Sequence, residues 1–131
     1  MNQRGWSRTD EFHRIKIVKS EDAVLALGAL AQESRLEIYR LLVKRGPDGY
    51  SPTDLVEKVG IPAPTLSFHL KELMRAGLIG SRREGRFLYY SANFERMRGL
   101  IGFLTEKCCS LSDAECDSSC VPIPTARRRR A

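Results

Sequence analysis

Apolar residues recur at three- and four-residue intervals along most of the chain, the period of helices that bury one face. Ser20-Glu-Asp reads as a helix start, followed by Val24, Leu27, Leu30 and Ala31, so a first helix is expected to end near Gln32. Ser34 is the expected cap of a second helix with Leu36, Ile38, Leu41 and Leu42 on its buried side, stopped by Gly46-Pro47-Asp48-Gly49. Ser51-Pro52 is a cap with proline at the first helical position. Leu55, Val56 and Val59 follow, and Gly60 ends this short helix. Ile61-Pro62-Ala63-Pro64 leads into another helix over residues 64–76, with Leu66, Leu70 and Leu73 as its apolar stripe and Gly77 as its end. Two helices joined by a short turn containing glycine make a helix-turn-helix.

The period then changes. Leu78-Ile79 and Phe87-Leu88-Tyr89-Tyr90 flank Arg82-Arg83-Glu84-Gly85-Arg86, which predicts a β-hairpin with a basic tip. A last helix is expected from about Asn93 to Lys107, with Phe94, Met97, Ile101 and Leu104 on one face and Leu100 and Phe103 beside it. The order α-α-α-α-β-β-α is that of a mainly helical winged helix-turn-helix. Three regions follow: an arm over residues 1–19, a domain over 20–107, and a Cys-rich segment with an Arg-rich end over 108–131.

Composition narrows the function. The 131 residues suffice for one compact domain. No apolar stretch approaches a bilayer span, and residues 1–19 hold no apolar signal segment, so a cytoplasmic protein without a membrane role is expected. The formal charge of +6 is uneven: residues 1–19 contribute +3, Arg127 to Arg130 contribute +4, and the rest nets −1. Overall basicity is therefore weak support for nucleic-acid binding, and local clusters must carry the case.

Such a cluster lies on helix 64–76. Opposite its apolar stripe stand Pro64, Phe68, Lys71 and Arg75, with Thr65, Ser67 and His69 on the flanks. Hydroxyl and cationic side chains at a helix surface can meet phosphates and base edges in a major groove, and an apolar group can touch a thymine methyl. Charges alone usually just solvate a surface, but a large apolar Phe68 on that side needs a reason. Arg82, Arg83 and Arg86 on the hairpin supply a second contact to phosphates or a minor groove. Double-stranded DNA is the expected partner.

The four cysteines, Cys108, Cys109, Cys116 and Cys120, fall within 13 residues. In a cytosolic chain such thiols stay reduced, so the cluster reads as a metal, metalloid or redox site.

Leu27-Gly-Ala-Leu-Ala-Gln-Glu-Ser-Arg-Leu-Glu-Ile, Pro64-Thr-Leu-Ser-Phe-His-Leu-Lys-Glu-Leu, Ala76-Gly-Leu-Ile and Glu84-Gly-Arg-Phe-Leu-Tyr-Tyr together resemble the arsenic-resistance (ArsR/SmtB) family of winged-helix repressors, over about residues 22–107. The resemblance implies a homodimer paired through the first and last helices, a palindromic operator, and release when a metal or metalloid binds. The Cys-x-Cys pair that some arsenic sensors carry on the third helix is absent from Thr53 to Val59. The His/Asp ligands of zinc sensors on the last helix are absent too, because the histidines are His13 and His69. What remains resembles the branch whose arsenic site is a vicinal pair, Cys108-Cys109, plus a downstream third thiol, here Cys116 with Cys120 as the alternative.

Soft thiolates suit trivalent arsenic, which takes three of them, so arsenite is the expected inducer, with antimonite and methylarsenite as variants and no organic cofactor. A four-cysteine zinc site competes, but structural zinc sites space paired ligands by two to four residues and Cys108-Cys109 has no spacer. A thiol redox sensor is the other alternative. Catalysis as an arsenate reductase is not supported: Cys120 and Arg127 are separated by six residues rather than the five of an oxyanion cradle.

Overall fold

The computed structural model describes residues 19–111. Residues 1–18 and 112–131 lie outside them, including Cys116, Cys120 and Arg127 to Arg130. Five helices and one hairpin follow in the expected order: α1 (Ser20–Leu30), α2 (Glu33–Arg45), a 3₁₀ turn (Gly46–Asp48), α3 (Pro52–Val59), α4 (Ala63–Arg75), β1 (Ile79–Glu84), β2 (Phe87–Ala92) and α5 (Phe94–Thr105).

Local chemistry sets most boundaries. Ser51 Oγ accepts from the Asp54 amide while the Asp54 carboxylate accepts from the Ser51 amide, and Pro52 stands at the first turn of α3. Gly60 closes α3 in the left-handed conformation at φ 78°. The caps of α1 and α2 differ from expectation. Lys19 rather than Ser20 is the α1 cap and makes no side-chain bond. Gln32 caps α2 by accepting from the Arg35 amide at 2.9 Å, which moves Ser34 inside the helix.

The core gathers Ile38, Leu42, Leu55, Leu66, Leu73, Leu78 and Ile79, all essentially sealed from solvent, at the junction of the first four helices and the hairpin. Tyr39 joins it, whereas Leu36 faces out. The first and last described helices depart most from the expected burial. On α1 the residues against the core are the small Ala23 and Ala26, while Val24, Leu25 and Leu27 are exposed. On α5 the buried positions are Arg96 and Leu100, while Leu104 is exposed. α5 also stops at Thr105, two residues short of the expected end.

The hairpin pairs antiparallel from Ile79↔Ala92 to Glu84↔Phe87. Its two-residue turn has Gly85 at φ 65° in the first position, as a type II′ turn requires. A bridge between Tyr50 and Tyr90, with bonds of 2.9 and 2.8 Å, ties the loop before α3 to β2. Gly49 makes that approach possible: its φ is 77°, and a Cβ there would lie 2.4 Å from the Tyr90 carbonyl oxygen. Asn93 joins the hairpin to α5. Its Oδ1 accepts from the Arg96 amide at 3.1 Å and its Nδ2 donates to the Gly77 carbonyl at 3.0 Å. The buried Arg96 guanidinium donates from Nε to the Ala76 carbonyl at 3.1 Å, fixing the exit of α4 against the start of α5.

Candidate nucleic-acid interface and thiol site

α4 is held by its stripe Leu66, Leu70 and Leu73, which leaves the opposite face to solvent. Pro64, Thr65, Ser67, Phe68, Lys71 and Arg75 are all exposed on it. Arg75 donates to the Glu72 carboxylate at 2.6 Å while keeping a largely exposed side chain. Exposed ion pairs of this kind are weak, so Arg75 can exchange that carboxylate for a phosphate at small cost.

His69 is the exception on α4. It is 7% exposed, so it belongs to the packed side of the helix and not to the face that would meet DNA. Its Nδ1 lies 3.3 Å from an Arg35 guanidinium nitrogen, and Arg35 Nε donates to the Ala29 carbonyl at 2.7 Å. Because arginine has no acceptor, Nδ1 receives the bond and the imidazole is neutral. Burial, and second the Arg35 charge, lower the His69 pKa from its ordinary value. The pair links the end of α1, the first turn of α2 and the middle of α4, a connection that sequence reasoning missed.

The hairpin arginines separate into two groups. Arg82 folds back: Nε donates to Glu84 at 3.0 Å, a terminal nitrogen donates to the Pro47 carbonyl at 3.1 Å, and the guanidinium lies 5.0 Å from the Tyr89 ring centre. Such a residue braces the hairpin on the 3₁₀ turn, so a phosphate would compete with these partners for its guanidinium. Arg83 and Arg86 are exposed near the tip.

Beyond α5 the chain turns tightly. The Cys108 amide donates to the Thr105 carbonyl at 3.1 Å and the Ser110 amide to the Lys107 carbonyl at 3.0 Å. Lys107 and Cys109 both have left-handed φ, 56° and 66°, which side chains other than glycine rarely adopt. On a continuing helix adjacent side chains would diverge by about 100°. Here the turn instead places the Cys108 and Cys109 sulfurs 3.5 Å apart, both exposed. A single centre with metal–sulfur bonds of about 2.3 Å can bridge sulfurs at that separation. Among the described residues no cluster of three or more His, Cys, Asp or Glu side chains forms a metal site. The third and fourth candidate thiols, Cys116 and Cys120, lie outside the described residues. No described helix is long and apolar enough to cross a membrane.

Residues 30–82 match a family model described as a helix-turn-helix domain. The chain is 40% identical over 81 residues to the arsenical resistance operon repressor of Bacillus subtilis (strain 168), covering 62% of this chain and 73% of that protein. It is 30% identical over 102 residues to a probable mercury resistance operon repressor of Streptomyces lividans, covering 78% of each. Among solved structures, NolR from Sinorhizobium fredii superposes with a TM-score of 0.54 at 29% identity, covering 82% of this chain and 97% of NolR.

Proposed function

This chain belongs to the ArsR/SmtB family of winged helix-turn-helix transcriptional regulators, which are DNA-binding proteins and not enzymes, and we propose that it is a homodimeric cytoplasmic repressor released from its operator by trivalent arsenic. The observation that carries the ligand is the vicinal pair at the end of α5, with two sulfurs 3.5 Å apart on a turn that holds them on one side. Soft thiolates select soft centres. Cys108 and Cys109 supply two ligands and Cys116 the third, with Cys120 as its alternative. Antimonite shares this chemistry, and methylarsenite, with fewer open positions, needs only the pair.

DNA is held by the exposed face of α4 in a major groove. Thr65, Ser67, Lys71 and Arg75 reach phosphates and base edges, and Arg83 and Arg86 on the hairpin reach the flanking backbone. A palindromic operator needs two such helices at fixed spacing, which a dimer provides. The exposed Val24, Leu25 and Leu27 on α1 and Leu104 on α5 form the apolar surface for pairing.

Recruiting Cys116 to the pair pulls the segment after α5 toward the helix end, and so toward the dimer contact. The dimer geometry then shifts and DNA affinity falls. Coupling of this kind is typically about 1–3 kcal/mol. Counting thiols tests the site. One equivalent of arsenite under reducing conditions should protect three thiols from a thiol reagent in the full chain and two in Cys116→Ser. Protection of none, or of all four by zinc but not by arsenite, would refute the assignment.

A further inference from the structure

Among the described residues large apolar side chains are exposed at several places, including Leu36 on α2, Met74 near the end of α4, Phe87 on the hairpin and Leu111 after α5. Val24, Leu25, Leu27 and Leu104 sit on the two helices proposed to pair, but Phe68 is 55% exposed in the middle of the polar and cationic face of α4. The core stripe on the other side of that helix is already complete without it. Its neighbours one turn away are Pro64 and Thr65 before it and Lys71 and Glu72 after it, so a single small apolar ring beside it stands among polar and charged groups.

The ring has one aromatic neighbour. It meets the His69 imidazole with centroids 5.8 Å apart and a tilt of 57°. That imidazole is anchored by Arg35, and Arg35 by the Ala29 carbonyl. Base edges in the major groove are otherwise polar; their one apolar feature is the C5-methyl group of thymine.

We infer that Phe68 is a specificity-determining residue that reads a thymine methyl in each operator half-site. The inference rests on the reading of α4 as the helix that enters the groove. Contact with one methyl-sized group corresponds to about 0.8 kcal/mol, or roughly fourfold in affinity per half-site.

The test uses duplexes selected from a random library by the full-length protein. Each thymine is then replaced singly by uracil, which removes the methyl and keeps every hydrogen-bonding group. Binding is read by fluorescence anisotropy for wild type, Phe68→Ala, Phe68→Leu and Lys71→Ala, with folding checked by circular dichroism. Wild type should lose about fourfold at one thymine in each half-site. Phe68→Ala should be indifferent to uracil there, and Phe68→Leu should regain part of the discrimination. Uracil tolerated everywhere by wild type, or a loss that persists in Phe68→Ala, overturns the inference. If Lys71→Ala still weakens every duplex in that case, the groove reading stands and only Phe68 is wrong. Failure of the library to yield any duplex, or Lys71→Ala without effect, overturns the groove reading and the inference with it.

Discussion

Acidification should destabilise this protein through His69, and the structure sets both the direction and the ceiling of the effect. The imidazole is buried and accepts from Arg35, so its protonated form is disfavoured in the folded state. Its folded pKa therefore lies below the unfolded value of about 6.5. Above that pH the group is neutral in both states and contributes no pH dependence. As pH falls from about 6.5 toward the folded pKa, the unfolded chain binds the proton first, and stability drops by at most about 1.4 kcal/mol per pH unit per protomer.

Replacing Arg35 by methionine keeps the apolar stem but removes two hydrogen bonds. The bond to the Ala29 carbonyl, at 2.7 Å, is charge-assisted and the bond to His69, at 3.3 Å, is long. Discounting for the partly exposed arginine, the loss at neutral pH is about 2 kcal/mol. The acid slope should persist in that variant, because burial, the larger cause of the shift, is unchanged. Urea unfolding followed by circular dichroism between pH 5.5 and 8 reads both effects. His69→Gln should flatten the wild-type slope, with His13 present in both proteins and cancelling. An acid slope in His69→Gln equal to that of wild type would refute the reasoning.

Three further outcomes are expected. Gly49→Ala should cost about 2–4 kcal/mol by thermal melting, since its Cβ would meet the Tyr90 carbonyl oxygen at 2.4 Å from a backbone at φ 77°. Asn93→Ala should cost about 2–3 kcal/mol by urea unfolding, because it removes the α5 cap and leaves the Gly77 carbonyl without its donor. Leu25→Asp combined with Leu104→Asp should give a folded monomer in sedimentation velocity and weaken duplex binding by more than tenfold. A dimer of unchanged affinity would place the pairing surface elsewhere.

The helix-turn-helix and hairpin were legible because their boundaries are written in local chemistry. Ser51-Pro52 with Asp54, Gly60, Gly77 and Gly85 each enforce a cap or turn whatever the tertiary packing. Which side chains are buried was less legible. His69 completes the series Leu66, His69, Leu70, Leu73, a core spacing of three, four and seven, but its polar type disguised the position. Tyr39 similarly fits beside Ile38 and Leu42 on α2. On α1 the ranking by apolar size pointed the wrong way. Close packing selects Ala23 and Ala26 for the inside, and the larger residues are left for another surface. The bracing contact of Arg82 was not legible, because a charged residue near a turn gives no sign that Pro47, distant in sequence, will accept its hydrogen bond. The vicinal cysteines were visible at once, but their approach depends on left-handed backbone at Lys107 and Cys109, which no residue type there announces.

The most direct test of the regulatory claim is operator binding by the full chain under reducing conditions, read by fluorescence anisotropy while arsenite is titrated. Wild type should leave the duplex with stoichiometric arsenite, whereas Cys108→Ser and Cys109→Ser should bind the duplex equally well and stay bound. Release of both variants at the wild-type arsenite concentration, or retention of the wild type throughout, would contradict a sensor built on the pair at the end of α5.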